Sequence, residues 1–135
     1  MSVISIEDSL NSRAQTLRLV NQKRIEDLVR MLSDEYSRKI VQSAMAHARS
    51  VEDFSRESCI PLSTCYRRVR DLVKDGILIV ERIVITPDGK KYELFRSVYR
   101  AIRVDFADGS LVVDVIVNEV ITERLYALRV SKFDG

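Results

Sequence analysis

The fold of this chain is decided by residues 58–78, which read SCIPLSTCYRRVRDLVKDGIL. They predict a tight turn and then a short basic helix over residues 63–75. Pro61 interrupts the preceding helix, and Ser63 is a favourable N-cap because its hydroxyl can accept from a free backbone N–H. Gly76 ends the helix, since glycine enters the left-handed backbone region without steric cost.

The two faces of this helix differ in chemistry. One face is apolar and combines four residues at helical spacing, Cys65, Val69, Leu72 and Val73. The remaining surface is polar and mostly basic, with Thr64, Tyr66, Arg67, Arg68, Arg70 and Lys74. A packed back and an arginine-rich front suit insertion into a DNA major groove. A plain amphipathic helix with a solvated basic face is the alternative, because Arg and Lys are good helix formers.

A β-hairpin is predicted directly after the basic helix. Residues 77–85 are apolar and β-branched, residues 86–90 (TPDGK) form a turn, and residues 91–99 return as the second strand. Lys90 and Lys91 lie at the tip. This order is typical of a winged helix-turn-helix, in which the hairpin, or wing, reaches the DNA backbone beside the helix. An isolated hairpin of a regulatory or enzyme domain is the alternative.

Three helices are predicted upstream. The first covers residues 25–32, Ser33 caps a second that runs to about Ala48, and Ser50 caps a third with Val51 and Phe54 turned inward. The domain is therefore α+β in the order α-α-α-α-β-β. Its third and fourth helices form the helix-turn-helix.

Two further elements are predicted after the wing. Residues 101–106 and 111–117 alternate around Asp108-Gly109, which predicts a second hairpin that extends the wing sheet. Asn118 then caps a closing helix with an apolar face of Ile121, Leu125 and Leu128. An isolated helix this short is marginal in water, so it needs a surface on its own domain or on a second subunit.

Residues 1–24 are expected to be a basic N-terminal arm or an extension of the first helix. Residues 25–100 form the predicted DNA-binding domain, and residues 101–135 the hairpin and closing helix as a dimerisation element. The net charge of the 135-residue chain is only +2, so the clustering of cations in the basic helix matters more than the total. No apolar run approaches the ~20 residues of a membrane span, and residues 1–8 lack signal-peptide features. We expect a cytoplasmic protein with no membrane partner and reduced thiols.

Catalytic signals are weak, and no enzyme activity or cofactor is predicted. The chain lacks a glycine-rich phosphate loop. A nucleophilic pair of Cys59 or Cys65 with His47 is conceivable, but Cys65 occupies a core position of the basic helix. A redox switch at Cys59 and Cys65 is the sharper alternative, since their oxidation would distort the basic helix.

Three motifs together resemble a known family. The segments at residues 32–40 (LSDEYSRKI), 60–69 (IPLSTCYRRV) and 75–78 (DGIL) are similar to archaeal ArsR-like winged helix-turn-helix transcription regulators. The resemblance covers residues 25–118 and implies a DNA-binding repressor or activator that is usually a homodimer. Metal-sensing members carry paired cysteines in the recognition helix or a His/Asp cluster near the C-terminus. Cys59 and Cys65 are six residues apart and His47 is the only histidine, so neither a metal site nor an inducer is carried over.

The sequence thus predicts a transcription regulator that reads double-stranded DNA. The residues expected to face base edges are Ser63, Thr64, Tyr66, Arg67 and Arg68. Those expected to contact phosphate are Arg70 and Lys74 on the helix, with Arg82, Lys90 and Lys91 on the wing. A protein-interaction winged helix and an RNA-binding winged helix are the alternatives that the residues leave open. The operator, the sign of regulation and the inducer are not encoded in any recognisable motif.

Overall fold

The computed structural model describes residues 16–121, which form an α+β fold with four complete helices and five strands, and residues 119–121 begin a further helix. The helices are α1 (Gln22–Ser33), α2 (Glu35–Ala46), α3 (Val51–Ser58) and α4 (Leu62–Lys74), and the strands are β1 (Thr16–Arg18), β2 (Leu78–Ile85), β3 (Lys91–Ser97), β4 (Tyr99–Ala107) and β5 (Ser110–Val117). The described residues divide into two compact units, Asn21–Val98 and a second that combines residues 16–20 with residues 99–121. None of the helices described is long and apolar enough to cross a membrane.

The first unit contains the four helices followed by the β2–β3 hairpin, but the order of elements in the described chain differs from the predicted one because the strand β1 precedes α1. Its core is built from side chains that are at most 2% exposed: Leu28, Ile40, Val41, Ala44, Phe54, Ile60, Cys65, Ile77 and Leu78. Ile40, Val41 and Ala44 fall at helical spacing in α2, and in α4 Cys65 is joined at helical spacing by Val69 and Leu72, each 3% exposed. One face of each helix is therefore removed from water. The predicted core position of Val73 is wrong, because 38% of this residue stays exposed at the edge of the apolar face.

Several helix starts differ from the predicted ones. Asn21 caps α1 by accepting from the Arg24 N–H, so α1 does not continue back through residues 16–20. Asp34, not Ser33, caps α2, because its carboxylate accepts from both the N–H and the hydroxyl of Ser37. A carboxylate at a helix N-terminus also complements the helix dipole, an advantage that a serine lacks.

The start of α3 is as predicted. Ser50 and Asp53 form a reciprocal capping box, in which the Asp53 N–H donates to the Ser50 hydroxyl at 3.1 Å and the Ser50 N–H donates to the Asp53 carboxylate at 3.0 Å. The predicted end of α2 near Ala48 is two residues too long. Arg49 instead exchanges two backbone hydrogen bonds with Phe95 of β3, which ties the α2–α3 connection to the hairpin.

The second unit contains an antiparallel sheet in the order β1-β5-β4. The second hairpin is thus confirmed, with Asp108 and Gly109 both at positive φ in a two-residue turn. It does not extend the wing sheet as expected. Its β5 strand pairs with β1 instead, so residues 16–18 are a strand and not a basic arm or a helix extension.

Asn118 accepts from the Val120 N–H where the closing helix was predicted to begin. The remainder of that helix, with Leu125 and Leu128, lies outside the described residues. So do residues 1–15 of the predicted N-terminal arm.

Candidate nucleic-acid interface

The turn between α3 and α4 sets the direction of the basic helix. Cys59 ends α3 in the left-handed region at φ 54°, and its N–H donates to the Ser55 carbonyl. The Ser55 hydroxyl donates in turn to the Ile60 carbonyl at 2.6 Å. Pro61 then serves as the N-cap residue of α4, with no side-chain hydrogen bond to the helix. The predicted cap at Ser63 is therefore wrong, and its side chain is left for the surface.

Four residues form one exposed stripe along α4, which we call the outer stripe: Ser63, Arg67, Arg70 and Lys74. Their spacing of i, i+4, i+7 and i+11 places them on a single helix face, opposite the buried Cys65, Val69 and Leu72. Within residues 16–121, the side chains of Arg67, Arg70 and Lys74 make no ion pair. From Arg67 to Lys74 the stripe rises about 10 Å along the helix axis, so it presents three exposed cations in a line.

Arg68 is turned toward α2 and away from the outer stripe. Its guanidinium lies 2.9 Å from the Asp34 carboxylate, and its side chain is 30% exposed. The pKa of Asp34 is lowered, first by the Ser37 hydroxyl that donates to it and then by Arg68. Arg68 thus joins α4 to the N-terminus of α2, and a contact with DNA bases would require this pair to open. Thr64 is half-buried on the same flank.

Tyr66 lies on the opposite flank and contacts α3. Its hydroxyl donates to the Glu52 carboxylate at 2.8 Å, which raises the pKa of Tyr66. Glu52 is exposed, so a negative charge stands beside the basic helix. Glu52 could not be recognised from the sequence, because Glu52 and Tyr66 are fourteen positions apart and no local motif connects them.

The predicted wing residues Arg82, Lys90 and Lys91 are all exposed on the β2–β3 hairpin. Lys90 and Lys91 stand at its tip, where Gly89 adopts φ 85° and the Lys90 N–H donates to the Thr86 hydroxyl. In the part of the chain described, none of these three side chains forms an ion pair. Arg82 follows a β-bulge at Glu81. The tip is therefore a second place that presents exposed cations, beside the exposed carboxylate of Asp88.

A groove of about 510 Å³ lies between α3 and α4 on one side and the hairpin on the other. Its floor is apolar, with Val69, Val73, Ile83 and Phe95, and charged side chains of both signs surround it: Glu52, Arg70, Lys91 and Glu93. Ile83 is 59% exposed, which is unusual for an isoleucine beside a packed helix. The surface next to the outer stripe is therefore mixed in character.

Both cysteines are free thiols with different environments. Cys65 is fully buried, and burial raises the pKa of its thiol to about 11. Cys59 is exposed in the turn, and His47 is exposed at the end of α2. Among the described residues, no group of three or more His, Cys, Asp or Glu side chains could hold a metal ion.

No protein-family model matches this chain, and no curated protein is significantly similar to it.

Proposed function

We propose that this protein is a winged helix-turn-helix regulator that binds double-stranded DNA, with α4 in the major groove and the β2–β3 hairpin as the wing. The observation that carries the proposal is the outer stripe. Within residues 16–121, Arg67, Arg70 and Lys74 are exposed on one face of α4 and none of them forms an ion pair, although Glu52 and Glu93 line the same groove as Arg70. Phosphates and guanine edges are the groups that such cations bind best.

The hairpin supports the same proposal. It follows α4 directly, and the bonds between Arg49 and Phe95 fix it to the segment that precedes α3. Its tip carries Lys90 and Lys91, whose ammonium groups can bind phosphate oxygens. Such contacts do not distinguish one base sequence from another. In the homodimer that the family resemblance implies, two α4 helices would read half-sites about 34 Å apart.

The roles within the site follow from side-chain direction. Arg67 is assigned to a guanine edge, because it is exposed on the face of α4 that lies opposite the core. Arg70, Lys74, Lys90 and Lys91 are assigned to phosphates. Arg68 is assigned to the contact with Asp34, so its contribution to DNA binding acts through the placement of α4.

The test is a competition assay between a selected operator and random duplex at two salt concentrations. Arg67→Ala should lose roughly 1–3 kcal/mol of discrimination. Lys90→Ala and Lys91→Ala should weaken both duplexes alike and lower the salt slope by about one unit each. Lys39→Ala is the matched control, because it removes the same charge from an α2 lysine that already pairs with Glu35.

A protein-interaction module is the second candidate, and the exposed apolar side chains beside α4 favour it. Ile83 and Ile85 on the hairpin are 59% and 63% exposed, and Leu62 at the start of α4 is 46% exposed. If Arg67→Ala and Arg70→Ala both bind every duplex as the parent protein does, the outer stripe is not a DNA-reading surface. The protein-interaction function would then take its place.

A further inference from the structure

The strand β4 is one edge of the β1-β5-β4 sheet in the described chain. On the other side of β5, the Leu19 N–H donates to the Val113 carbonyl at 2.9 Å, so the backbone groups of Val113 point away from β4. Val113 stands opposite Val104, which makes this a non-hydrogen-bonded pair of the antiparallel ladder. The N–H and C=O of Val104 therefore point outward, away from β5.

Backbone direction alternates along a strand, so the N–H and C=O groups of Ile102 and Phe106 point outward as well. Side chains also alternate. Those of Ile102, Val104 and Phe106 share one face of the sheet, and Phe106 is 73% exposed. The nine-residue strand contains neither proline nor lysine, the residues that commonly protect an exposed edge from pairing.

The other face of β4 carries an opposite-charge pair. Arg103 and Asp105 lie on either side of Val104, with a distance of 3.4 Å between the guanidinium and the carboxylate. Their side chains are 41% and 52% exposed. A strand with this order of charges is complementary to a second copy of itself, provided that the second copy runs antiparallel.

We propose that β4 is a homodimerisation edge, which pairs with β4 of a second copy about a two-fold axis through Val104. Ile102 then stands opposite Phe106 of the partner subunit, and Arg103 opposite Asp105 of the partner subunit. The outward backbone groups form three residue pairs, each of which exchanges two hydrogen bonds. The apolar side chains of both copies form one continuous face.

The charges favour this register over the two adjacent ones. An axis through Arg103 would place two arginines opposite each other, and an axis through Asp105 would place two aspartates opposite each other. Like charges directly opposite are destabilising, whereas an axis through Val104 gives two favourable pairs. The proposal is independent of DNA binding, because it rests only on the sheet of the second unit.

The experiment measures the mass of the full chain by sedimentation or light scattering. The parent protein should be a dimer at micromolar concentration. Asp105→Arg should raise the dimer dissociation constant at least about tenfold, since it creates two like-charge pairs per dimer. Arg103→Asp should do the same, but it also faces Asp114 of β5 within the chain, so its circular dichroism must match that of the folded parent. An equimolar mixture of the two variants should regain the dimer, because one strand then carries only positive and the other only negative charges.

Val104→Pro is an independent variant. It removes an outward N–H but no hydrogen bond to β5, so it should abolish the dimer while circular dichroism remains that of the folded parent. Three results would overturn the proposal. The parent protein could be a monomer, or all three variants could form dimers as the parent does. The mixture could also stay monomeric while Val104→Pro stays dimeric. Parent-like dimers of the variants would direct attention to an interface elsewhere, such as the predicted closing helix.

Discussion

Arg96 connects the hairpin to the end of α2, and its loss should be among the costliest single changes outside the apolar core. Its Nε and Nη2 atoms lie 3.0 and 2.9 Å from the Glu81 carboxylate, and both side chains are only 14% exposed. Its Nη1 donates to the Ala46 carbonyl at 2.7 Å and to the Met45 carbonyl at 3.3 Å. These carbonyls belong to the last turn of a helix, where backbone acceptors lack helical donors.

Arg96→Met keeps most of the side-chain stem and removes every donor. Breaking a buried ion pair by removing one partner costs roughly 3–5 kcal/mol, and the remaining exposure of this pair favours the lower value. We therefore expect Arg96→Met to lower the free energy of unfolding by about 3 kcal/mol, out of a total free energy of unfolding of about 5–15 kcal/mol for a domain of this kind. With a urea dependence of about 1–3 kcal/mol per molar, the unfolding midpoint should fall by about 1–3 M.

The assay is urea unfolding of the full chain at neutral pH, followed by circular dichroism. Arg82→Met is the matched control, because it removes an exposed arginine from the same hairpin and should change the free energy by no more than about 0.5 kcal/mol. Adding Glu81→Gln to Arg96→Met should restore at least about 1 kcal/mol, since a neutral amide is less costly to bury than a carboxylate. An Arg96→Met protein within about 0.5 kcal/mol of its parent would refute this account of the hairpin.

Two further predictions concern the thiols and the capping carboxylate. In the folded protein a thiol reagent should label Cys59 rapidly and Cys65 only after denaturation, because Cys65 is buried with a raised pKa; rapid labelling of both would contradict the structure. The pKa of Asp53 is lowered, chiefly by the Ser50 N–H. Its stabilisation is therefore complete above its unfolded pKa of about 3.9 and is lost as the pH falls through the folded value. Asp53→Asn should thus be less stable than the parent at pH 7, and the unfolding curves of the two proteins should converge in acid. A difference in stability that is the same at every pH would exclude the capping role of the Asp53 carboxylate.

The sequence by itself determined the features that depend on a few neighbouring residues. The N-cap at Ser50, the positive φ of Gly76 and the Asp108-Gly109 turn are local solutions to backbone geometry, and all three are present. The order of four helices and a hairpin in the first unit was equally readable, because apolar spacing identifies an element without knowledge of its partner.

The candidate site was predictable only in part. Arg67 and Arg70 lie on the exposed face that helical spacing assigned to them. The direction of Arg68 depends on Asp34, thirty-four positions earlier, and that of Tyr66 depends on Glu52. A helical wheel gives the angle of a side chain about its own axis but not which carboxylate the neighbouring helix brings within reach.

Strand pairing was decided only by the tertiary structure. The alternation of β4 and β5 predicted a hairpin but could not choose its neighbour, because the backbone groups of an edge accept any strand. Three residues, Thr16–Arg18, are too few to be recognised as a strand from their own pattern. They become one because β5 offers its free edge and Asp114 binds Arg18, and both partners lie nearly a hundred residues away in the chain.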